Sequence, residues 1–234
     1  VPKIFESYTN DSEYVLLMQD LGGMDLEQQS SRPRFLDAAC KLADIRTSTE
    51  RVEHISPSAL RKYILTKDQL LLDLDYVLKH TGAEYREILN VLSRTVKVFS
   101  KHLDHLYQEL PLTLNHNDYH AKNLLHVDGR IIPVDWASAR ISPHIGDLYC
   151  LIEEAKDQHI SKAEIVGTYN SALKDLGVQE EVTDWHLDMG GICWSNHCLQ
   201  WILEFGLVAI PMSKGWVPNF LTYLCAALPG LEKT

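Results

Sequence analysis

The sequence predicts an α+β fold that is mostly helical, with short β elements at two places. Three observations carry this reading. Tyr85, Ile88, Leu92, Val96, Phe99, Leu103 and Leu106 recur at helical spacing and describe one long amphipathic helix ending before Pro111. The front of the chain alternates instead: Lys3 to Tyr8 and Glu13 to Gln19 read as strands joined by the turn residues Thr9-Asn10-Asp11-Ser12. Between Thr113 and Val134 the apolar pairs Leu124-Leu125 and Ile131-Ile132 flank Asp128-Gly129, a dipeptide suited to the two positive φ angles of a type I′ hairpin turn.

The remaining elements follow in order. Leu21-Gly22-Gly23 ends the first hairpin, which gives a β unit over residues 1–21 and a helical unit over 22–234. Leu36, Cys40 and Ala43 are expected to share the buried face of a helix. Ser56-Pro57 reads as an N-cap with proline at the first helical position, and Gly82 stops the helix carrying Leu71, Leu74 and Leu78. Helices resume after Gly146. Ser161-Lys162-Ala163-Glu164 is a capping box, Gly177 closes that helix, and the Trp-rich stretch from Thr183 to Leu207 reads as a buried helix.

Composition narrows the function. The 22 basic and 32 acidic residues give a net charge of −10, without the basic cluster a nucleic-acid partner requires. The longest apolar stretch, Trp201 to Met212, is interrupted by Glu204 and Pro211 and is too short to span a bilayer, so no membrane partner is expected. Five scattered cysteines suit a reducing cytoplasm better than a disulfide framework. The first residues do not read as a signal peptide, so no secretory leader is expected from them. The chain begins Val1-Pro2-Lys3 and passes almost at once into a strand, so it is expected to be the rear part of a longer protein.

The chemistry concentrates in His116-Asn117-Asp118-Tyr119-His120-Ala121-Lys122-Asn123, followed by Leu124-Leu125 and then by Ile131-Ile132-Pro133-Val134-Asp135-Trp136. An Asp and an Asn stand five residues apart in a loop between apolar anchors, and a second Asp ends the next strand. A hairpin of this length brings Asn123 and Asp135 together as two oxygen ligands, which Mg²⁺ favours when phosphates and water complete its shell. Asp118, beside them, is suited to accept or orient a hydroxyl proton.

His-x-Asp-x-x-x-x-Asn followed by a hydrophobic strand and Asp-Trp resembles the aminoglycoside phosphotransferase and choline kinase group of protein-kinase-like enzymes, over nearly the whole chain. The resemblance implies a helical C-terminal lobe preceded by a hairpin remnant of the N-terminal lobe. It implies Asp118 as the catalytic residue, Asn123 and Asp135 as Mg²⁺ ligands on ATP (or another nucleoside triphosphate), and His116 and Asp147 as structural supports of the loop. Leu16-Leu17-Met18-Gln19-Asp20-Leu21 resembles the hinge, with Met18, Gln19, Asp20 and Leu21 at the adenine. The implied reaction moves the γ-phosphoryl group to a small-molecule hydroxyl. Three departures stand out. Asn117 replaces a frequent Gly. Lys122 replaces another and is placed to reach the γ-phosphate. No Gly-rich phosphate loop, strand Lys or helix Glu precedes the hinge, so the chain alone is expected to be a poor catalyst.

Other readings compete. Cys193 and Cys198 with His186 and His197 lack zinc spacing and read as part of a helix. His120 reads as a packing residue of the loop. Trp185, Trp194 and Trp201 read as core, with an aromatic wall for a quaternary ammonium as the alternative. Glu153, Glu154, Asp157, Glu180, Glu181, Asp184, Asp188 and Glu204 would favour a cationic acceptor if they lined a cleft, and form a solvated face otherwise. The acceptor stays open between aminoglycosides, amino alcohols, homoserine-type substrates and sugars. The alternative from another class is a non-catalytic, kinase-like binding protein.

Overall fold

The computed structural model describes residues 2–10, 12–48 and 60–231. The expected N-cap at Ser56-Pro57 lies outside them. β1 (Ile4–Thr9) and β2 (Tyr14–Met18) pair antiparallel, and the Asn10 side chain accepts from the Ser12 and Glu13 amides to close the turn. β3 (Met24–Asp25) joins β5 (Leu124–Val127) and β6 (Arg130–Pro133) in a three-stranded sheet, and β4 (Thr113–Asn115) pairs with β7 (Arg140–Ser142). The two expected β regions are therefore three sheets among the described residues. β3 and β7 are only two and three residues long, and runs that short carry no readable alternation. Asp128 and Gly129 take φ +49° and +74°, the I′ geometry expected of them.

Seven principal helices follow in chain order: α1 (Arg32–Thr47), α2 (Lys67–His80), α3 (Arg86–Glu109), α4 (Gly146–Ala155), α5 (Lys162–Asp175), α6 (Asp184–Trp201) and α7 (Val217–Gly230). The capping box at Ser161 and Glu164 is formed, and Thr183 with His186 forms a second at the start of α6. α6 runs on into a π-helical turn at Ile202–Gly206.

Two cores share α6. One gathers Phe35, Ala38, Leu42, Tyr119, Leu124, Ile131, Leu148 and Leu151, and so binds α1, α4 and the β5–β6 hairpin to the loop before it. The other gathers Leu70, Leu74, Leu92, Phe99, Leu103, Ile192, Leu221 and Leu224 from α2, α3, α6 and α7. Gly190 lets α6 approach α4, because a Cβ there would sit 2.8 Å from the Ile145 carbonyl carbon. One expected face needs correction. Cys40 is exposed and Leu36 only half-buried, while Phe35, Ala38, Ala39 and Leu42 point inward. The small alanines let α1 lie close on its neighbours, and this turns Cys40 outward. Trp201 is 38% exposed, which corrects its expected place in the core; it stands where α6 passes into the π turn.

Candidate active site

The loop from His116 to Asn123 is held from below by a carboxylate. Asp147, in the first turn of α4 and 1% exposed, accepts from the His116 amide at 2.6 Å and the Asn117 amide at 2.8 Å. Burial pushes its pKa up, against the pull of those two amides. Asn117 takes φ +62°, a left-handed conformation that glycine and asparagine tolerate best. That accounts for an Asn at this turn. The Tyr119 hydroxyl donates to the Ala38 carbonyl at 2.8 Å and ties the loop to α1.

His116 is fully buried, 2.9 Å from the Val134 carbonyl through Nε2, and packs tilted against Trp136, with 4.5 Å between ring centroids and 52° between the ring planes. A carbonyl only accepts, so the Nε2 atom carries the proton. The loop is thereby joined to the residue preceding Asp135.

Asn123 and Asp118 meet directly. The Asn123 amide nitrogen donates to Asp118 Oδ2 at 2.8 Å and to the Asp118 carbonyl at 3.0 Å. His120 Nε2 lies 3.3 Å from Asp118 Oδ1, so His120 touches the carboxylate as well as packing in the loop. Burial would raise the Asp118 pKa, but the hydrogen bonds from His120 and Asn123 outweigh it and hold the carboxyl below its ordinary value. His120 is raised in turn, by its hydrogen bond to Asp118.

Asp135 follows β6. Leu124 pairs with Pro133, and the Val134 amide donates to the Asn123 carbonyl at 2.9 Å, so Asn123 and Asp135 flank one end of the hairpin. Asp135 is exposed, has φ +60°, and its side chain makes no hydrogen bond or ion pair among the described residues. With the Asn123 nitrogen turned to Asp118, the donors left at this end are an amide oxygen and a free carboxylate. That donor set fits Mg²⁺. Lys122 is exposed, 3.4 Å from Glu27 Oε1.

Met18, Gln19, Asp20 and Leu21 run from the end of β2 toward the β5–β6 sheet. The Gln19 amide donates to the Lys3 carbonyl at 2.8 Å, and Asp20 Oδ1 accepts from the Gly22 amide at 2.9 Å. Met18 is 49% exposed.

A match to the model of the phosphotransferase enzyme family covers residues 1–180. The chain belongs to this family. Solved structures agree on the family's kinase-like fold. A choline/ethanolamine kinase family protein from Mesorhizobium loti is 16% identical, with a TM-score of 0.61, and the match covers 97% of this chain and 73% of that one. The ADP-bound aminoglycoside phosphotransferase APH(2'')-Ib is 15% identical, with a TM-score of 0.63 and coverage of 97% and 76%. The streptomycin–ATP–APH(2'')-IIa ternary complex is 16% identical, with a TM-score of 0.63 and coverage of 97% and 75%. No curated protein matches the chain. No described helix is long and apolar enough to cross a membrane.

Two supports of the loop escape a sequence reading. Glu154, one of the acids read as a candidate for the acceptor cleft, accepts from the Ala121 amide at 2.5 Å. Arg46, on the buried side of α1, donates to Asn115 Oδ1 at 2.9 Å and to the His144 carbonyl at 2.8 Å, tying α1 to the β4–β7 strands. A basic residue three and four positions after Ala43 and Leu42, on the inward stripe, was the available signal. Three of the other acids are taken up by neighbours on the surface. Glu153 pairs with Lys156, Asp184 with Lys162, and Glu204 with Gln200.

Proposed function

We propose that this chain carries the metal and acceptor site of an enzyme that moves the γ-phosphoryl group of a nucleoside triphosphate onto a hydroxyl of a small molecule. One observation carries the reading: the Asn123 amide donates to Asp118 while the Asn123 carbonyl accepts from the neighbour of Asp135. Three oxygen-bearing side chains thus share one end of a braced hairpin.

In this reading Asp118 faces the acceptor. Held below its ordinary pKa, it is ionised at neutral pH and accepts the proton of the attacking hydroxyl, or fixes that hydroxyl in line. Asn123, through its oxygen, and Asp135 hold Mg²⁺, which when bound would neutralise charge on the phosphate oxygens. His116 and Asp147 keep the loop in place and touch no substrate. Met18 to Leu21 line the base, and Lys122 reaches toward the γ-phosphate. The net charge of −10 favours a cationic acceptor by long-range attraction. Streptomycin and ATP in the similar APH(2'')-IIa complex fall in the same classes of acceptor and donor.

Transfer by the full-length protein from γ-labelled ATP and GTP to choline, ethanolamine and kanamycin, with and without Mg²⁺, tests this. Asp118→Asn and Asp135→Ala are each expected to lower Mg²⁺-dependent transfer by about 100-fold or more. Ordinary turnover in Asp135→Ala would remove the metal assignment, and unchanged turnover in Lys122→Ala would remove the role given to that lysine. Failure of the full-length protein to bind Mg·ATP would favour the non-catalytic alternative.

A further inference from the structure

Past α6 the chain reverses the usual sorting of side chains. The π turn at Ile202–Gly206, a short helix at Leu207–Ala209 and a 3₁₀ turn at Pro211–Gly215 lead into α7. In this stretch the polar Ser213 is fully buried, while its neighbour Met212 is 72% exposed and Val208 87%. Trp201, Phe205, Leu207, Ile210 and Trp216 are exposed as well. Their elements pack on one another, so the seven apolar side chains crowd into one region of the surface.

The backbone holds this face in place. The Ile210 amide donates to the Gly206 carbonyl at 2.7 Å, the Ser213 amide to the Ile210 carbonyl at 2.8 Å, and the Trp216 amide to the Ser213 carbonyl at 2.9 Å. Ile202 and Val217 are buried and anchor the stretch in the core of α2, α3, α6 and α7. A Cβ on Gly206 would sit 2.9 Å from the Trp201 ring, so glycine lets that ring lie against the turn.

Area and charge point to one occupant. At about 150–250 Å² for a large side chain shown in full, the seven expose on the order of 700 Å². That exceeds the roughly 300–600 Å² of the largest apolar patch on a typical monomer. It approaches the roughly 800 Å² that each partner gives to a stable interface. The charged residues between Trp201 and Trp216 are Glu204 near the start and Lys214 near the end. Gln200 donates to Glu204 Oε2, and Lys214 makes no hydrogen bond or ion pair among the described residues. A two-fold axis turns such a stretch end for end and sets each acid against the other copy's base. A lipid surface fits less well, because the net charge of −10 repels anionic headgroups and one lysine does not offset it. We propose that this face pairs with the same face of a second copy of the chain, the apolar side chains meeting at the centre and Glu204 of each copy facing Lys214 of the other.

Sedimentation velocity of the full-length protein over a range of about 1–100 µM tests this, and a dimer with a Kd of about 10 µM or tighter is expected. Val208→Glu and Met212→Glu each change an exposed side chain, so each should melt as the wild type does and weaken the dimer about 30-fold or more. Glu204→Lys should weaken it about tenfold, and adding Lys214→Glu should restore the wild-type affinity. Val15→Lys, on the exposed β1–β2 hairpin, should leave the dimer unchanged. The proposal fails if the protein stays monomeric to about 100 µM. Pelleting of that monomer with phosphatidylcholine or phosphatidylserine vesicles would then give the face to a lipid surface. It fails also if either glutamate variant dimerises as the wild type does, if Val15→Lys breaks the dimer, or if the double charge reversal recovers no affinity.

Discussion

β1–β2 and β5–β6 are both antiparallel hairpins closed by short polar turns, yet Leu17 is 58% exposed in the first and Leu124 fully buried in the second. Phe5, Tyr8, Tyr14 and Val15 are exposed as well, whereas Ile131 joins Leu124 in the core. Both hairpins have their ladder hydrogen bonds, so those bonds do not make the difference. An isolated two-stranded hairpin is marginal in water, because its ladder bonds compete with water and little apolar area leaves solvent. The second hairpin gains that area from α1 and α4. It gains further from Asp147, which fixes the loop leading into it. The candidate catalytic groups sit on the hairpin that is braced.

The comparison is tested hardest at the brace. Asp147→Ala leaves the His116 and Asn117 amides buried without acceptors, and is expected to lower stability by about 3–5 kcal/mol in urea unfolding. The same variant should speed amide exchange through residues 116–127 and leave β1–β2 as it was. Faster exchange in both hairpins together would mean that they open as one unit, and the contrast would be lost. Next in size is a matched pair of truncations. Leu124→Ala opens a cavity in the core and should cost about 3 kcal/mol, while Leu17→Ala should stay within about 0.5 kcal/mol. Equal costs would show that the first hairpin is packed after all.

How far all this was legible in the sequence depends on the kind of signal. The I′ turn at Asp128-Gly129, the capping box at Ser161 and the long helix through Phe99 are local. Each is written in a few neighbouring residues, and each forms as read. The rotation of α1 was not legible, because Leu36 and Cys40 are as apolar as Phe35 and only the partner surface chooses between the two faces. The Asp118 to Asn123 spacing could be read directly. The meeting of Arg46 with Asn115, 69 residues apart, could not, since nothing local to either residue marks the pairing. Glu154 failed for a related reason. Two adjacent glutamates look alike in sequence, and the helix turns one toward Lys156 and the other toward the Ala121 amide.

That long-range layer under the loop supplies the last test. His144 is 1% exposed, and burial, reinforced by the nearby Arg46 charge, pushes its pKa down to about 3 from 6.5. The folded chain therefore keeps this imidazole neutral where the unfolded chain protonates it. Below an unfolded pKa of about 6.5 the unfolded state binds the extra proton, so stability falls as the pH drops from there toward 3, by up to about 1.4 kcal/mol per pH unit. Urea midpoints measured from pH 7 down to pH 4 should show that slope. His144 Nδ1 accepts the Gly146 amide at 3.1 Å, and Asn offers an oxygen in nearly the same place without a titrating ring. His144→Asn should flatten the profile while the pH 7 stability changes little. An unchanged slope would assign the acid sensitivity to other groups. In the wild-type protein acid should loosen the loop and β5–β6 before the rest of their core, and leave the exchange of β1–β2 amides to the intrinsic pH dependence of an already open hairpin.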